Sequence, residues 1–492
     1  ADGAAAVDVL TAVANQLRAK ASAAKWTLPK QGAHFRASAI ETRGKVAAVF
    51  SGQGSQYANM FDDAAMNWPP MRDAVSAMDA QSAAARPKGT PLVSEVLYPR
   101  AAYESEAKPD HDRVLSDTLH SQPATVAVAV GAYDVFKNAG LKADYTAGHS
   151  LGEIAALHAA GALDRDTAFN LVCHRATAMA EAAKMAKGQA MAAVIGPGAS
   201  ELSVAGGDVW LANLNEPGQV VISGTDAAVG AESAKLQAKG FRVVPLKVSG
   251  AFHTPLMAPA GNAFGAKVQA AAASIKPASG AKMFSNVTGA PAYAAGGADS
   301  VAMLTKHMTS SVQWIKQVRA MHADGARCFV EFGPRSTLGK LVGQILPPSD
   351  DLCVVSVNPS KDKSADLQMR EAAVQLAVFG VPLTNFDPWG VPNAFKLGRG
   401  PPPKKPPMLL TAATYVANKT KKALEAAMND GYKISGNVVS SVGPTDMQLK
   451  NAQREADEAK KEAAAAKAEL ESMKRKLSQS ESALVAEQNK PK

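Results

Sequence analysis

Short apolar runs that alternate with longer helix-like stretches constrain this chain more than any other feature. Lys45–Phe50 reads KVAAVF and ends on the Gly/Ser-rich SGQGSQ, the pattern of a buried strand feeding a loop. Ser121–Gly140 is long and apolar enough for a buried helix closed by glycine. Asp144–His149 is a second short strand, and Ser150 opens a helix rich in Ala and Leu. Further on, AKMFSNVTG and RCFVEFG resume the alternation up to about residue 347, and LCVVSVN adds one more strand within 348–395. Strands that alternate with helices predict a parallel sheet of the α/β class.

Between about 188 and 250 the rhythm changes. AMAAVIG, VWLANLN, QVVISG and FRVVPLKVSG are four strand-like runs, with one clear helix at Thr225–Lys239 before the last. That pattern predicts a small α+β subdomain inserted into the larger unit. Residues 1–43 begin as an Ala-rich helix (Val7–Ala24) and become irregular. GRGPPPKKPP, at 398–407, is a linker because consecutive prolines favour extended polyproline chain. Beyond it Thr445 and Gln448 fit a capping box, and apolar residues from Leu449 to Leu484 repeat at alternating spacings of three and four. Most members of that seam are alanine, so a weak coiled coil and a single helix carrying Glu/Lys pairs are both open readings.

The chain of 492 residues has a formal net charge of +9, but residues 396–492 hold 18 Lys+Arg against 11 Asp+Glu and account for +7 of it. The body is near neutral, with no aromatic-interleaved basic patch, so nucleic acid is not an expected partner. Three cysteines without a CxxC or a Cys/His cluster argue against structural zinc and a disulfide framework, and no metal is expected. No apolar run approaches the ~20 residues that span a bilayer. A soluble, cytoplasmic protein is the expectation, without membrane contact. The chain opens on Ala1 rather than Met, so it is expected to be a piece of something longer.

Gly148-His149-Ser150-Leu151-Gly152 is a GxSxG pentapeptide between a strand-like and a helix-like run. Such an elbow lifts a serine onto a tight turn and places the next backbone N–H at a helix start, where it can stabilise an oxyanion. Ser150 is the nucleophile candidate. Its base must come from nine histidines, which sequence physics cannot rank decisively. His149 adjoins the serine but leaves the turn in another direction, and His158 lies on the following helix. His253, in SGAFHTPLM, sits on a loop after a strand, where α/β enzymes place catalytic groups. Arg175 reads either as a surface salt bridge or as a fork that clamps a substrate carboxylate.

These motifs resemble the malonyl-CoA:acyl-carrier-protein acyltransferases of fatty acid and polyketide synthases. The matching segments are VFSGQGSQY (49–57), SQPA (121–124), GHSLGEIAAL (148–157), the Arg175 segment, NEPGQVVISG (215–224), GAFHTPLM (250–257), SNVTG (285–289) and EFGP (331–334), in family order. With its flanks the chain looks most like the acyltransferase region of a polyunsaturated fatty acid synthase.

The resemblance implies an α/β-hydrolase-like large subdomain (44–187 and 251–347), a ferredoxin-like small subdomain (188–250) and a post-domain linker (348–397). It makes 1–43 an N-terminal linker and 398–492 a Pro-rich linker and helical tail. It gives Ser150 the acylated oxygen and His253 the proton transfers. The Gln53 and Leu151 backbone N–H groups would form the oxyanion hole, and Arg175 would hold the free carboxylate of a malonyl group. A backbone carbonyl would orient the histidine, at the position of Asn286. GAFH and Leu151 favour malonyl over methylmalonyl, whereas Gly250 departs from polyketide relatives that carry His there. No bound cofactor is implied. The substrate would be malonyl-CoA, and the partners an acyl carrier protein bearing phosphopantetheine and a neighbouring ketosynthase. The rival readings are a serine thioesterase or hydrolase, which has no use for an arginine clamp, and a non-catalytic docking module.

Overall fold

A computed structural model describes residues 3–386, apart from 29–30, 38–43, 101–109, 186–187, 205, 247, 249, 382 and 385. The Pro-rich linker and helical tail expected at 398–492 lie outside the described residues. Among the described residues no helix is long and apolar enough to cross a membrane.

In chain order the strands are β1 (Lys25–Leu28), β2 (Ala33–Arg36), β3 (Lys45–Phe50), β4 (Tyr145–Gly148), β5 (Gln189–Ile195), β6 (Val209–Glu216), β7 (Gln219–Thr225), β8 (Arg242–Pro245), β9 (Lys282–Phe284), β10 (Ala326–Pro334) and β11 (Cys353–Asn358). Five of them form a parallel sheet in the order β11-β10-β3-β4-β9. Val46–Phe50 in β3 are all buried, as a strand covered on both faces requires. Its cover includes the helix Thr118–Asn138, whose small apolar run Ala124–Ala132 lets it lie close against its neighbours. Each fully buried Val or Phe of this core contributes roughly 1.5–3 kcal/mol.

The second sheet is antiparallel, in the order β6-β7-β5-β8, which is the strand order of a ferredoxin-like unit. The helix Asp226–Ala238 covers it, and a single 3-10 turn at Ala199–Glu201 stands between β5 and β6. A loop beside the parallel sheet is stitched onto the second sheet. Leu214 N donates to Val312 O at 3.0 Å and Val312 N donates to Ala212 O at 2.8 Å, which pins the loop after the helix Gly297–His307 onto β6.

Two segments read as linkers carry more structure than expected. Within 1–43, β1 and β2 form an antiparallel pair in which Trp26 is buried and stacks on Phe35. Lys25 and Arg36 donate to the Ser349 and Asp350 carbonyls, tying the pair to the far end of the domain. Within 348–397, β11 is an edge strand of the parallel sheet, with Val355 and Val357 buried against it. The sheet therefore runs past residue 347, because β10 has an open edge that only a further strand covers.

Register decides where chemistry can sit. Phe50 pairs with Gly148, Ala147 with Phe284 and Phe332 with Phe50. The loops after β3, β4, β9 and β10 thus leave the sheet side by side at its carboxyl edge, where open α/β sheets bind ligands.

Candidate active site

Ser150 lies two residues past the end of β4 and adopts a left-handed backbone conformation, φ 49°. The flanking glycines make that turn possible. A Cβ on Gly148 would lie 1.9 Å from the Gly152 carbonyl carbon, and one on Gly152 would lie 2.1 Å from Phe50 O. Contact that close admits hydrogen only. The turn is braced from β9: Ser150 N donates to Asn286 Oδ1 at 3.0 Å, and Asn286 Nδ2 donates to Gly148 O at 2.8 Å.

The histidine that meets the serine is His253, with Ser150 Oγ and His253 Nε2 2.7 Å apart. His253 is buried and also left-handed, φ 61°. Its Nδ1 lies 3.1 Å from Ser310 O. The carbonyl facing the ring is therefore that of Ser310 and not of Asn286, whose own backbone carbonyl accepts from Gln313 N at 2.9 Å. Ser310 can do this because β6 pins Val312, two residues on. Burial drives the His253 pKa down to about 3, and Arg175 and His149 push in the same direction. The ring is thus neutral and able to accept a proton.

Arg175 comes from the helix Arg165–Met185 and is fully buried. Its Nη2 donates to Ser150 Oγ at 3.1 Å. Its Nε has no partner, and among the described residues no carboxylate forms an ion pair with it. Burial lowers its pKa to about 10, so it remains charged near neutral pH. A buried cation without a counter-ion is expensive, and a ligand carboxylate would relieve that cost.

Gln53 lies in the loop after β3 and lines the cavity above the serine. Its side chain is locked by donation to Thr118 Oγ1 and acceptance from Gln122 Nε2, both 3.1 Å. Among the described residues the backbone N–H groups of Gln53 and Leu151 donate to no protein acceptor. The cavity measures about 430 Å³ and draws on both sheets, with Met191, Asn213, Gln219 and Phe252 facing Ser150, His253 and Arg175. Of the other histidines, His149 bonds Asn215 Oδ1 across 2.8 Å, and His158 faces Leu163 O.

A buried polar cluster beneath the elbow escaped the sequence reading. Glu153 accepts from Tyr293 Oη at 2.6 Å and from both Asn286 nitrogens, and His307 Nε2 lies 3.6 Å away. Burial raises the Glu153 pKa against the pull of those hydrogen bonds, and the same burial holds His307 neutral. The one signal available was a carboxylate inside the otherwise apolar LGEIAAL.

A serine on a strained strand-to-helix turn, a neutral histidine at 2.7 Å and free N–H groups beside them define an α/β enzyme of the serine acyl-transfer class. Residues 48–382 match the family described as acyl transferase domain, and the chain belongs to that family. It is 47% identical over 457 residues to a polyunsaturated fatty acid synthase polypeptide of Thraustochytrium, covering 92% of this chain but only 16% of that polypeptide. It is 34% identical over 309 residues to the malonyl CoA-acyl carrier protein transacylase of Bacillus subtilis, covering 61% of this chain and 90% of that protein. Among solved structures, the acyltransferase domain from the second module of the salinomycin polyketide synthase matches with a TM-score of 0.63 at 26% identity over 75% of this chain and 81% of that one. An acyl carrier protein S-malonyltransferase from Vibrio cholerae matches with a TM-score of 0.55 at 29% identity, over 64% and 98% of the two chains.

Proposed function

We propose that this domain transfers a malonyl group from malonyl-CoA to the phosphopantetheine thiol of an acyl carrier protein. The observation that carries the reading is Arg175, a buried guanidinium that touches the serine oxygen and has no ion-pair partner among the described residues. A hydrolase of neutral acyl thioesters has no use for it, and a docking module has no use for the Ser150–His253 contact. Carrier-protein partnership is supported by similarity to a malonyl-transacylase solved in complex with a type II polyketide synthase carrier protein (26% identity, TM-score 0.55).

In the proposed cycle Ser150 Oγ attacks the thioester carbonyl while His253 Nε2 accepts its proton. The Gln53 and Leu151 N–H groups receive the oxyanion. Collapse expels coenzyme A as its thiol, protonated by His253, and leaves malonyl-Ser150. The carrier thiol then attacks that ester and gives its proton to His253, and collapse forms the carrier thioester while His253 returns the proton to the departing Ser150 Oγ. Arg175 holds the malonyl carboxylate throughout, which fixes the acyl group for attack. The reading includes large and small subdomains divided near 188 and 250, a ketosynthase neighbour in a longer synthase, and a cytoplasmic setting.

Intact-protein mass spectrometry after brief exposure to malonyl-CoA tests it. The native chain should gain one malonyl group, Ser150→Ala none, and added carrier protein should discharge the adduct. Free malonate released without any carrier would favour the hydrolase instead.

A further inference from the structure

A second cavity, of about 440 Å³, opens beside the acyl-transfer cleft and shares Gln219, Thr337 and Leu341 with it. Its wall carries three cations, Arg335, Lys340 and Lys361, against one carboxylate, Asp362. Among the described residues none of the three cations is ion-paired, so a net positive field faces the opening.

Arg335 is held there rather than waving in solvent. Its backbone is left-handed (φ 67°), a strained state for a residue with a side chain. Its Nε donates to Ser55 O at 3.1 Å, and its guanidinium lies 5.7 Å over the Tyr57 ring. Ser55 is two residues past Gln53, so this cation is tied to the loop that lines the cleft. The N–H groups at the start of the neighbouring helix Thr337–Ile345 do not add to the field. Those of Thr337, Leu338 and Gly339 donate to the buried Glu331 carboxylate at 2.8–3.0 Å. The attraction for an anion therefore rests on the three side chains.

We propose that this cavity holds the phosphate-bearing nucleotide of coenzyme A while its pantetheine arm passes the shared wall to reach Ser150. The assignment rests on the acyl-transfer reading and adds the subsite that recognises the donor. Guanidinium and ammonium groups bind phosphate oxygens through charge-assisted hydrogen bonds. Coenzyme A carries a diphosphate and a 3′-phosphate, whereas the arm of a carrier protein carries a single phosphodiester. Three converging cations suit the former. They would let the free donor compete for the serine and leave the carrier to be recognised by its protein surface.

The test compares serine acylation by malonyl-CoA and by malonyl-pantetheine, which lacks the nucleotide, in the native chain and in Lys340→Ala/Lys361→Ala. Both lysines are exposed and outside the reacting groups, so the fold should be unaffected, as thermal denaturation would verify. The expected result is a KM for malonyl-CoA raised about 10-fold or more, the equivalent of ~1.4 kcal/mol. Its kcat, malonyl-pantetheine kinetics and the KM for carrier protein should not change. Equal losses on both thioesters, or no loss on either, would overturn the proposal. So would a raised KM for carrier protein with malonyl-CoA unaffected, which would make the patch a carrier dock. A native chain acylated by neither thioester would refute the transacylase reading instead. Titration calorimetry with free coenzyme A then still decides the cavity, because binding must be present in the native chain and weakened in the double variant.

Discussion

Arg175 Nη2 donates to Ser150 Oγ across 3.1 Å although 25 residues separate the two in the chain. The helix Arg165–Met185 returns the guanidinium to the elbow, where among the described residues no carboxylate forms an ion pair with it and its Nε has no partner. In the proposed acyl-enzyme the malonyl carboxylate takes that place, and the serine oxygen, now esterified, needs the contact no longer.

Arg175→Ala is expected to lower kcat/KM for malonyl-CoA by about 10- to 100-fold, the worth of one charge-assisted contact of ~1.5–3 kcal/mol. Acetyl-CoA has no carboxylate to hold, and its transfer should be spared or improved. Parallel kinetics on the two donors check this, and equal losses would remove the clamp from the mechanism.

The depressed His253 pKa sets the pH behaviour. Because the ring is active when neutral, the acid limb of kcat/KM should lie well below the ordinary histidine value of 6.5, toward about 3. Arg175 is the second cause of the shift after burial, so Arg175→Gln should move the limb upward. Acetyl-CoA profiles measure both. The same ring affects stability: between 6.5 and about 3 the unfolded chain binds a proton that the folded one refuses, so stability falls as pH drops through that window. His307, held neutral by the same burial, adds to that loss.

Asn286 braces Ser150 N and Gly148 O, so Asn286→Ala should loosen the elbow. It leaves buried groups unsatisfied, at a cost of about 1–3 kcal/mol each. A lower melting temperature together with slower malonyl-serine formation is expected, and the acid limb of the pH profile should stay where it is. Unchanged stability and an unchanged rate of malonyl-serine formation would remove Asn286 from the support of the elbow.

Glu331 accepts from the first three N–H groups of the helix Thr337–Ile345 and from Ser356 Oγ at 2.7 Å. Glu331→Ala removes the acceptor for all four donors inside the fold. A destabilisation of about 3 kcal/mol or more is expected in chemical denaturation. Glu331→Gln, which keeps one oxygen acceptor, should lose less.

The strands that read clearly in sequence are those buried on both faces: β3, β4 and β10 are short, largely apolar runs with a glycine within two residues of their ends. GxSxG pointed to Ser150 for the same reason, since its glycines and flanking elements are local signals. His253 could not be separated from the other histidines by composition, because its selection depends on β6 pinning Val312 and thereby aiming Ser310 O. A backbone carbonyl belongs to every residue type and leaves no trace in a sequence, so motifs alone cannot tell Ser310 O, which faces the ring, from Asn286 O. The β1–β2 pair was missed because four-residue strands with mixed burial show no clear alternation. The cluster around Glu153 joins residues more than a hundred positions apart. β11 was visible as a strand, but its membership in the large sheet depends on the open edge of β10.

The tight contacts at Gly148 and Gly152 separate the history of the pentapeptide's outline from that of its serine. The glycines set how near β3, β4 and the following helix approach one another, and that demand persists whether or not a bond is ever broken at position 150. A descendant released from catalysis is expected to keep both glycines and to let the hydroxyl drift. Its pentapeptide would survive as a fossil of packing, so a census keyed to those glycines would count retired enzymes among working ones.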